Sequence, residues 1–311
     1  MKEKVSEKYL GDYLSSSLTE SVDVTVDTRL RKLSYTPYEI RNIIEDCRSQ
    51  TLGGLTVGLD IWEMAVIPCL LTNSQTWMEM HSKTVQKLDD FQDKVYRILL
   101  SCPISTPRSS LAWDCGGMKF KYRIMQNKLI FLNHILHLPD DALAKQILGE
   151  QNKHELPGLT NECQSFMQLL NLPNILQNDI SKPVWKRMVK SAVRMENEDE
   201  LRSEISAYKK LLKSNIGMEE FGRKSYLSSL TLHEARTKYK YRMNMTQYIK
   251  MNYKNDKKYA TDLWRCHEPK CRLQDTNSHL IHCEGYREQR EDKDLNNDKD
   301  LCKYLQEIFR I

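Results

Sequence analysis

The sequence predicts a mainly α-helical protein with a small Cys/His module near its C-terminus, and three observations carry that expectation. Apolar residues recur at three- and four-residue intervals over long stretches. The clearest is "HSKTVQKLDDFQDKVYRILLSCP", where Val85, Leu88, Phe91, Val95, Ile98 and Leu99 fall on one helical face and Pro103 stops it. Strand-like segments are scarce. Cysteine and histidine crowd into one stretch, "CHEPKCRLQDTNSHLIHC", from Cys266 to Cys283.

Taken in order, "EKYLGDYL" reads as a short strand pair and the polar "SSSLTESVDVTVD" after it as a loop. Helical spacing begins near Thr28 with Leu30 and Leu33. A second helix opens at Pro37 and places Ile40, Ile43, Ile44 and Cys47 on one face. The glycines of "TLGGLTVG" mark a break, and "LDIWEMAVIPCLLTNSQTW" is apolar enough for a buried helix. Beyond the amphipathic helix ended by Pro103, "MKFKYRIMQNKLIFLNHILHLP" is a long helix ended by Pro139, and Asp140 is placed to cap "DALAKQIL". From about Glu150 to Lys213 the chain is more polar, with short helices around Phe166 to Leu170 and Val184 to Val193 and a charged one in "NEDELRSEISAYKKLLKS".

The 311 residues are 40% hydrophobic and 29% charged, ordinary for a globular chain with room for two domains. No run of about 18 unbroken apolar residues suggests a membrane span, and "MKEKVSEKYLGDYL" lacks the apolar core of a signal peptide. An intracellular protein without membrane partners is therefore expected, nucleus and cytoplasm not being distinguished. Of nine cysteines, Cys47, Cys69, Cys102, Cys115 and Cys163 stand singly in apolar or helical context, as reduced, buried thiols do.

The net charge of +5 is mild, but it is unevenly spread. Residues 216–260 hold ten basic and four acidic side chains, with tyrosines between the bases in "RTKYKYRMNMTQYIKMNYKNDKKY". Arg236, Lys238, Tyr239, Lys240, Tyr241, Arg242, Lys250, Lys257 and Lys258 are the candidate nucleic-acid contacts. Lys and Arg track phosphates and aromatic rings stack on unpaired bases. A solvated helix face with half-buried tyrosines is the plain alternative. The stretch 284–300 reverses sign, with seven acidic residues against four basic.

Cys266, Cys271, His279 and Cys283 have the spacing C-x4-C-x7-H-x3-C. Thiolate and imidazole are ligands that Zn²⁺ favours, and four protein donors make a closed, structural site. His267 and His282 are substitute donors, His282 disfavoured by its adjacency to Cys283. Two free thiols beside a loop histidine remain the alternative. A loop this polar draws its folding free energy from the metal.

Two-metal phosphoryl chemistry needs carboxylates side by side. Asp89 and Asp90 lie on a helix, where neighbours diverge by about 100° and both are expected to face solvent. Asp140 and Asp141 begin another, where anions suit the dipole. No catalytic residue is assigned, and no nucleophile elbow, phosphate loop or zinc-protease motif is present.

At this point the order of several boxes resembles the reverse transcriptases of non-LTR retrotransposons. "EKYLGDYL" is similar to the "KYLG" hairpin that follows their palm, so that Lys8, Tyr9, Leu10 and Gly11 would be primer-grip-like. "DTRLRKL" and "VIPCLLTNSQTW" resemble their thumb, the latter matching "LLYGSETW" with Thr72 and Asn73 in place of Tyr-Gly and Gln75 in place of Glu. "SLAWDCGGMKFKYRIMQNKLIF" looks like their downstream helix region, and Cys266 to Cys283 with "EGYREQRE" like their C-terminal zinc knuckle. The resemblance implies a palm-edge hairpin remnant over 1–22, a thumb-like helical bundle over 23–150 and a helical connector over 151–215. A basic helical segment over 216–260, a CCHC zinc knuckle over 261–290 and an acidic tail with a short helix over 291–311 would follow.

The catalytic Tyr/Phe-x-Asp-Asp of such enzymes lies upstream of the "KYLG" box and is not in this sequence. The resemblance therefore implies a nucleic-acid-binding C-terminal fragment, inactive alone, with structural Zn²⁺ and with RNA or single-stranded or target DNA as partner. The alternatives are a piece of an active polymerase completed by upstream sequence or a separate palm-and-fingers segment, and a domesticated zinc-dependent protein-interaction module.

Overall fold

In the computed structural model the described residues exclude 1–5, 10–11, 16, 49, 79, 155–157, 209–219, 244, 246–270, 272–276, 284–285 and 309–311. The fold is mainly helical, as expected. Strands β1 (Ser6–Tyr9) and β2 (Asp12–Ser15) pair antiparallel, Tyr9 opposite Asp12. Ten helices follow: α1 (Leu18–Lys32), α2 (Thr36–Arg48), α3 (Gly54–Ile61), α4 (Ile67–Leu70), α5 (Ser82–Leu100), α6 (Arg108–Cys115), α7 (Phe120–Leu136), α8 (Leu143–Lys153), α9 (Leu159–Leu169) and α10 (Lys182–Ala207). Five further α-helices are described after it: α11 (Tyr226–Ser229), α12 (Leu232–Arg242), α13 (Asn277–His282), α14 (Arg287–Arg290) and α15 (Asp298–Ile308).

These elements form two compact units, each gathered from three separate stretches, unlike the consecutive modules that the sequence suggested. The first comprises residues 1–35, 63–93 and 118–201, the second 36–62, 94–117 and 202–311.

In the first unit, α1 occupies the stretch expected to be a polar loop. Ser17 accepts from the Glu20 N–H at the helix start, and Val22 and Val26 are buried together with Ser21, Thr25 and Thr28. The inner face is partly polar, which hid its period. Arg29 organises the region after α4. Its guanidinium meets Asp12 at 2.5 Å and donates to the Leu70 and Thr72 carbonyls at 2.9 and 2.7 Å, and it lies over the Trp77 ring. Asn73, in a left-handed turn, donates to Asp12 at 3.0 Å. The core beyond joins Leu129 and Leu132 of α7, Cys163 and Met167 of α9, and Trp185, Val189 and Val193 of α10. Each fully buried aliphatic side chain there contributes about 1.5–3 kcal/mol. The Trp185 indole N–H reaches the Leu129 carbonyl at 2.8 Å.

The sequence expected two helices where the single α10 runs. Asp140 does not cap α8, whose N-cap is Ala142, and pairs with Lys145 at 2.7 Å instead.

Asp89 corrects the expectation that both members of its pair face solvent. Asp90 is exposed and accepts from Gln86, whereas the half-buried Asp89 accepts from the Phe120 N–H at 2.8 Å and so caps α7 from outside the helix. Burial outweighs that hydrogen bond and raises its carboxyl from 3.8 to about 6. The fold thus holds this proton more tightly than the unfolded chain does, and the carboxyl's contribution falls as pH rises from about 4 to 6. Asp89→Asn keeps an acceptor for Phe120 without the charge. It should raise stability at pH 7 to 8 by on the order of 2 kcal/mol and change nothing at pH 4. Denaturant unfolding across that range checks this; an equal effect at both pH values would refute it.

In the second unit, α3 packs closely enough on its neighbours that a Cβ at Gly58 would lie 3.2 Å from the Leu99 side chain and 3.4 Å from Ile44. The expected break is present over Thr51–Gly53, but it is shorter than the stretch suggested: α3 begins at Gly54, after Gly53 at φ +76°. Helix α6 is buried from Ser109 to Cys115 and ends on Gly116 at φ +70°, a conformation glycine adopts without strain. Asp114, fully buried, receives Arg242 Nε at 3.0 Å and the Tyr226 hydroxyl at 2.8 Å.

The stretch Gly54–Leu71 is long and apolar enough to cross a membrane by length and composition, but half of it is buried inside the protein. It carries Asp60 and Glu63, which pair with Arg223 and Arg123, respectively. That is the pattern of a core helix. Among the thiols, Cys115 and Cys163 are buried as expected, whereas Cys69 is exposed and Cys102 half-buried. Burial raises the Cys102 and Cys163 thiols to about 12, which keeps them protonated and unreactive. Nothing is described of the Cys47 side chain.

Candidate metal centre

The C-terminal module is built on α13. His279 and Cys283 are four residues apart, and the Cys283 N–H donates to the His279 carbonyl at 2.8 Å, which sets both side chains on one helical face. Cys271 approaches from the preceding segment. The donor atoms of Cys271, His279 and Cys283 all lie within 4.8 Å of one another, and these three residues could hold a metal ion.

The Cys271 Sγ to His279 Nε2 distance is 3.5 Å. A tetrahedral Zn²⁺ with bonds of about 2.3 Å to sulfur and 2.05 Å to nitrogen requires a sulfur–nitrogen edge of about 3.6 Å. The donor set and this spacing fit zinc. Of the four ligands expected, Cys266 lies outside the described residues, as does His267. His282 is exposed and is not among the donors that converge.

A small core supports the site. Leu280, Cys283 and Tyr286 pack against Leu301, Tyr304, Leu305 and Ile308 of α15, with Tyr241 and Cys271 at the edge. The Tyr304 hydroxyl donates to the Leu280 carbonyl, and Arg290 donates to the Cys283 carbonyl at 2.6 Å, immediately beside a donor of the trio. The module was expected to draw its folding free energy from metal alone. The helix in the acidic tail gives it an apolar core of its own.

The basic segment does not present Arg236 to Arg242 as the exposed nucleic-acid contacts that were expected. Helix α12 starts with a capping box, Thr231 and Glu234 each accepting from the other's backbone N–H. Arg236 donates to the Leu99 carbonyl at 2.7 Å and to Glu45 at 2.8 Å. Lys238 pairs with Asp298 at 2.7 Å, tying α12 to α15. Tyr239 is fully buried and shares a hydrogen bond with Ser110 at 3.2 Å. Lys240 is 2% exposed, and burial lowers the pKa of its ammonium. Tyr241 packs on the α15 core, and Arg242 is held by Asp114. These six side chains are thus spent within the fold. Lys250, Lys257 and Lys258 lie outside the described residues.

Of the primer-grip-like set, Lys8 and Tyr9 belong to β1, and Leu10 and Gly11 lie outside the described residues. What sequence reasoning missed is the carboxylate set that neutralises α12, namely Glu45, Asp114 and Asp298. They lie 60 to 191 positions from their partners in the chain, and no short-range spacing announces them.

Comparison with protein-family models, with curated proteins and with solved structures finds no match to this chain.

Proposed function

We propose that the chain is a nucleic-acid-binding C-terminal portion of a retrotransposon-type RNA-directed DNA polymerase, its C-terminal module organised by a structural zinc ion. The observation that carries this reading is the convergence of Cys271, His279 and Cys283 at the end of a mainly helical chain whose sequence boxes follow that family's order. Cys266 would complete the ligand set. Zinc, when bound, fixes the loop geometry and supplies no chemistry at a closed four-donor site. The placement of the two Asp-Asp pairs supports a binding role rather than catalysis by these residues: Asp89 and Asp90 point apart, and Asp140 is engaged with Lys145.

In this reading single-stranded RNA or DNA contacts Lys250, Lys257, Lys258 and the metal-bound loop, because Arg236, Lys238 and Arg242 are already paired and Lys240 is buried. Fluorescence anisotropy with a labelled single strand should show binding that weakens steeply with salt, by about 0.7 in log K per log salt for each phosphate contact. Joint replacement of Lys250, Lys257 and Lys258 by Gln should lower that slope by about 2. Affinity that is flat between low and moderate salt would refute the reading. Internal neutralisation of the α12 bases favours, as a second reading, a zinc-dependent protein-interaction module; zinc-loaded protein that ignores nucleic acid would support it.

A further inference from the structure

A second basic surface lies in α10, in the stretch read from sequence only as a connector. Lys182, Lys186, Arg187, Lys190 and Arg194 follow one another without a single Asp or Glu between Lys182 and Met195, and all five are exposed. The 182, 186, 190 and 194 positions recur every four residues, so their side chains climb the helix in steps of about 6 Å, each turned about 40° from the last, and span about 18 Å. The adjoining face, about 100° round the helix at Trp185, Val189 and Val193, is packed in the core of the first unit. The side chains of Lys186, Arg187 and Lys190 make no ion pair or hydrogen bond among the described residues.

The stability of α10 does not explain this arrangement. A helix favours anions at its N-terminus and cations at its C-terminus. Helix α10 does the reverse: its first turn holds no acidic residue, its N-terminal half is basic, and its C-terminal half carries Glu196, Glu198, Asp199, Glu200 and Glu204 against the single base Arg202. The charges oppose the dipole at both ends. An external polyanion on the N-terminal half would be favoured by the bases and the dipole together.

We infer that the α10 stripe is a docking track for the phosphate backbone of double-stranded nucleic acid. Charge complementarity selects a polyanion, and the even pitch suits a regular backbone. No exposed aromatic side chain lies along the stripe to stack unpaired bases, which single-strand grooves use. The apolar face of α10 is already buried, with the Trp185 indole bonded to the Leu129 carbonyl, so this helix has no apolar face to insert into a bilayer. The inference shares with the proposed function the view that the chain binds nucleic acid, but it stands on a different surface and a different strand state.

The test measures binding of a short fluorescein-labelled DNA duplex by the full chain between about 50 and 200 mM salt. One variant combines Lys186→Gln, Arg187→Gln and Lys190→Gln. A charge-matched variant combines Arg31→Gln, Lys32→Gln and Lys83→Gln, three exposed positions off the stripe. The stripe variant should lower the slope of log K against log salt by about 2.7, at about 0.9 per phosphate contact, with an unchanged thermal melt. The charge-matched variant should leave the slope nearly as it is. Equal losses in both variants, no duplex binding by the parent protein, or stripe-dependent binding to phosphatidylserine vesicles without duplex binding would each overturn the inference. Single-strand binding by the zinc-loaded protein, measured in parallel, would stay intact if only the stripe inference fails. Loss of single-strand binding in Cys271→Ser with duplex binding intact would support the C-terminal module as a separate site and leave the stripe inference standing.

Discussion

Arg242→Ala should cost about 3–5 kcal/mol of folding stability, because it strands the fully buried Asp114 carboxylate with the Tyr226 hydroxyl as its remaining described side-chain donor. Taking a charge out of water is tolerable only when a partner and hydrogen bonds compensate it, and here Arg242 supplies both. The same side chain also lies over the Tyr226 ring, its guanidinium 5.7 Å from the ring centroid. Combining Arg242→Met with Asp114→Asn removes both charges and should recover most of the loss. Urea denaturation of the single and double variants measures this directly, with unchanged m-values expected. A single variant within about 1 kcal/mol of the parent protein would show that the pair is not the internal anchor described above.

Elemental analysis of purified protein should find close to one zinc per chain, and Cys271→Ser and Cys283→Ser should each abolish it. Cys302→Ser is the matched control. Cys302 lies on α15 and is more buried than Cys271, but its thiol is directed at the Glu234 carbonyl, 3.5 Å away, and stands outside the trio. Because thiolates and a neutral imidazole are the binding forms, zinc affinity should fall as pH is lowered, protons competing for the same donors. Chelation should loosen the module around α13 while the core of the first unit survives. The packing of α15 on Leu280 and Tyr286 means that metal loss weakens this module without unfolding the whole chain, visible as a low-temperature step in a thermal melt. Zinc-free protein with wild-type stability would count against a structural metal.

What the sequence made legible was whatever rests on neighbours close in the chain. The period of α5 is local, and so is the spacing of His279 and Cys283, which falls on one helical turn. Helix α1 was hidden because Ser21, Thr25 and Thr28 share its buried face with Val22 and Val26, so that hydropathy alone shows no stripe. The basic helix α12 was misread for a related reason. A row of Lys, Arg and Tyr has the composition of a solvated arm, yet Glu45, Asp114 and Asp298 bring it inside, and only the folded chain reveals those partners. The exposed stripe of α10 was equally visible in composition, but its meaning depended on knowing that Trp185, Val189 and Val193 turn the bases outward.

The interleaving of the two units along the chain has a practical consequence for dissection. Helix α12 rests on Glu45, the Leu99 carbonyl, Ser110 and Asp114, all supplied by residues 36–117. A C-terminal peptide excised at any point beyond Gly117 would leave those anchors behind and expose Tyr239 and Lys240 to water. Domain-mapping by serial truncation would therefore report aggregation where the intact polypeptide is sound, and point substitutions are the safer scalpel for this molecule.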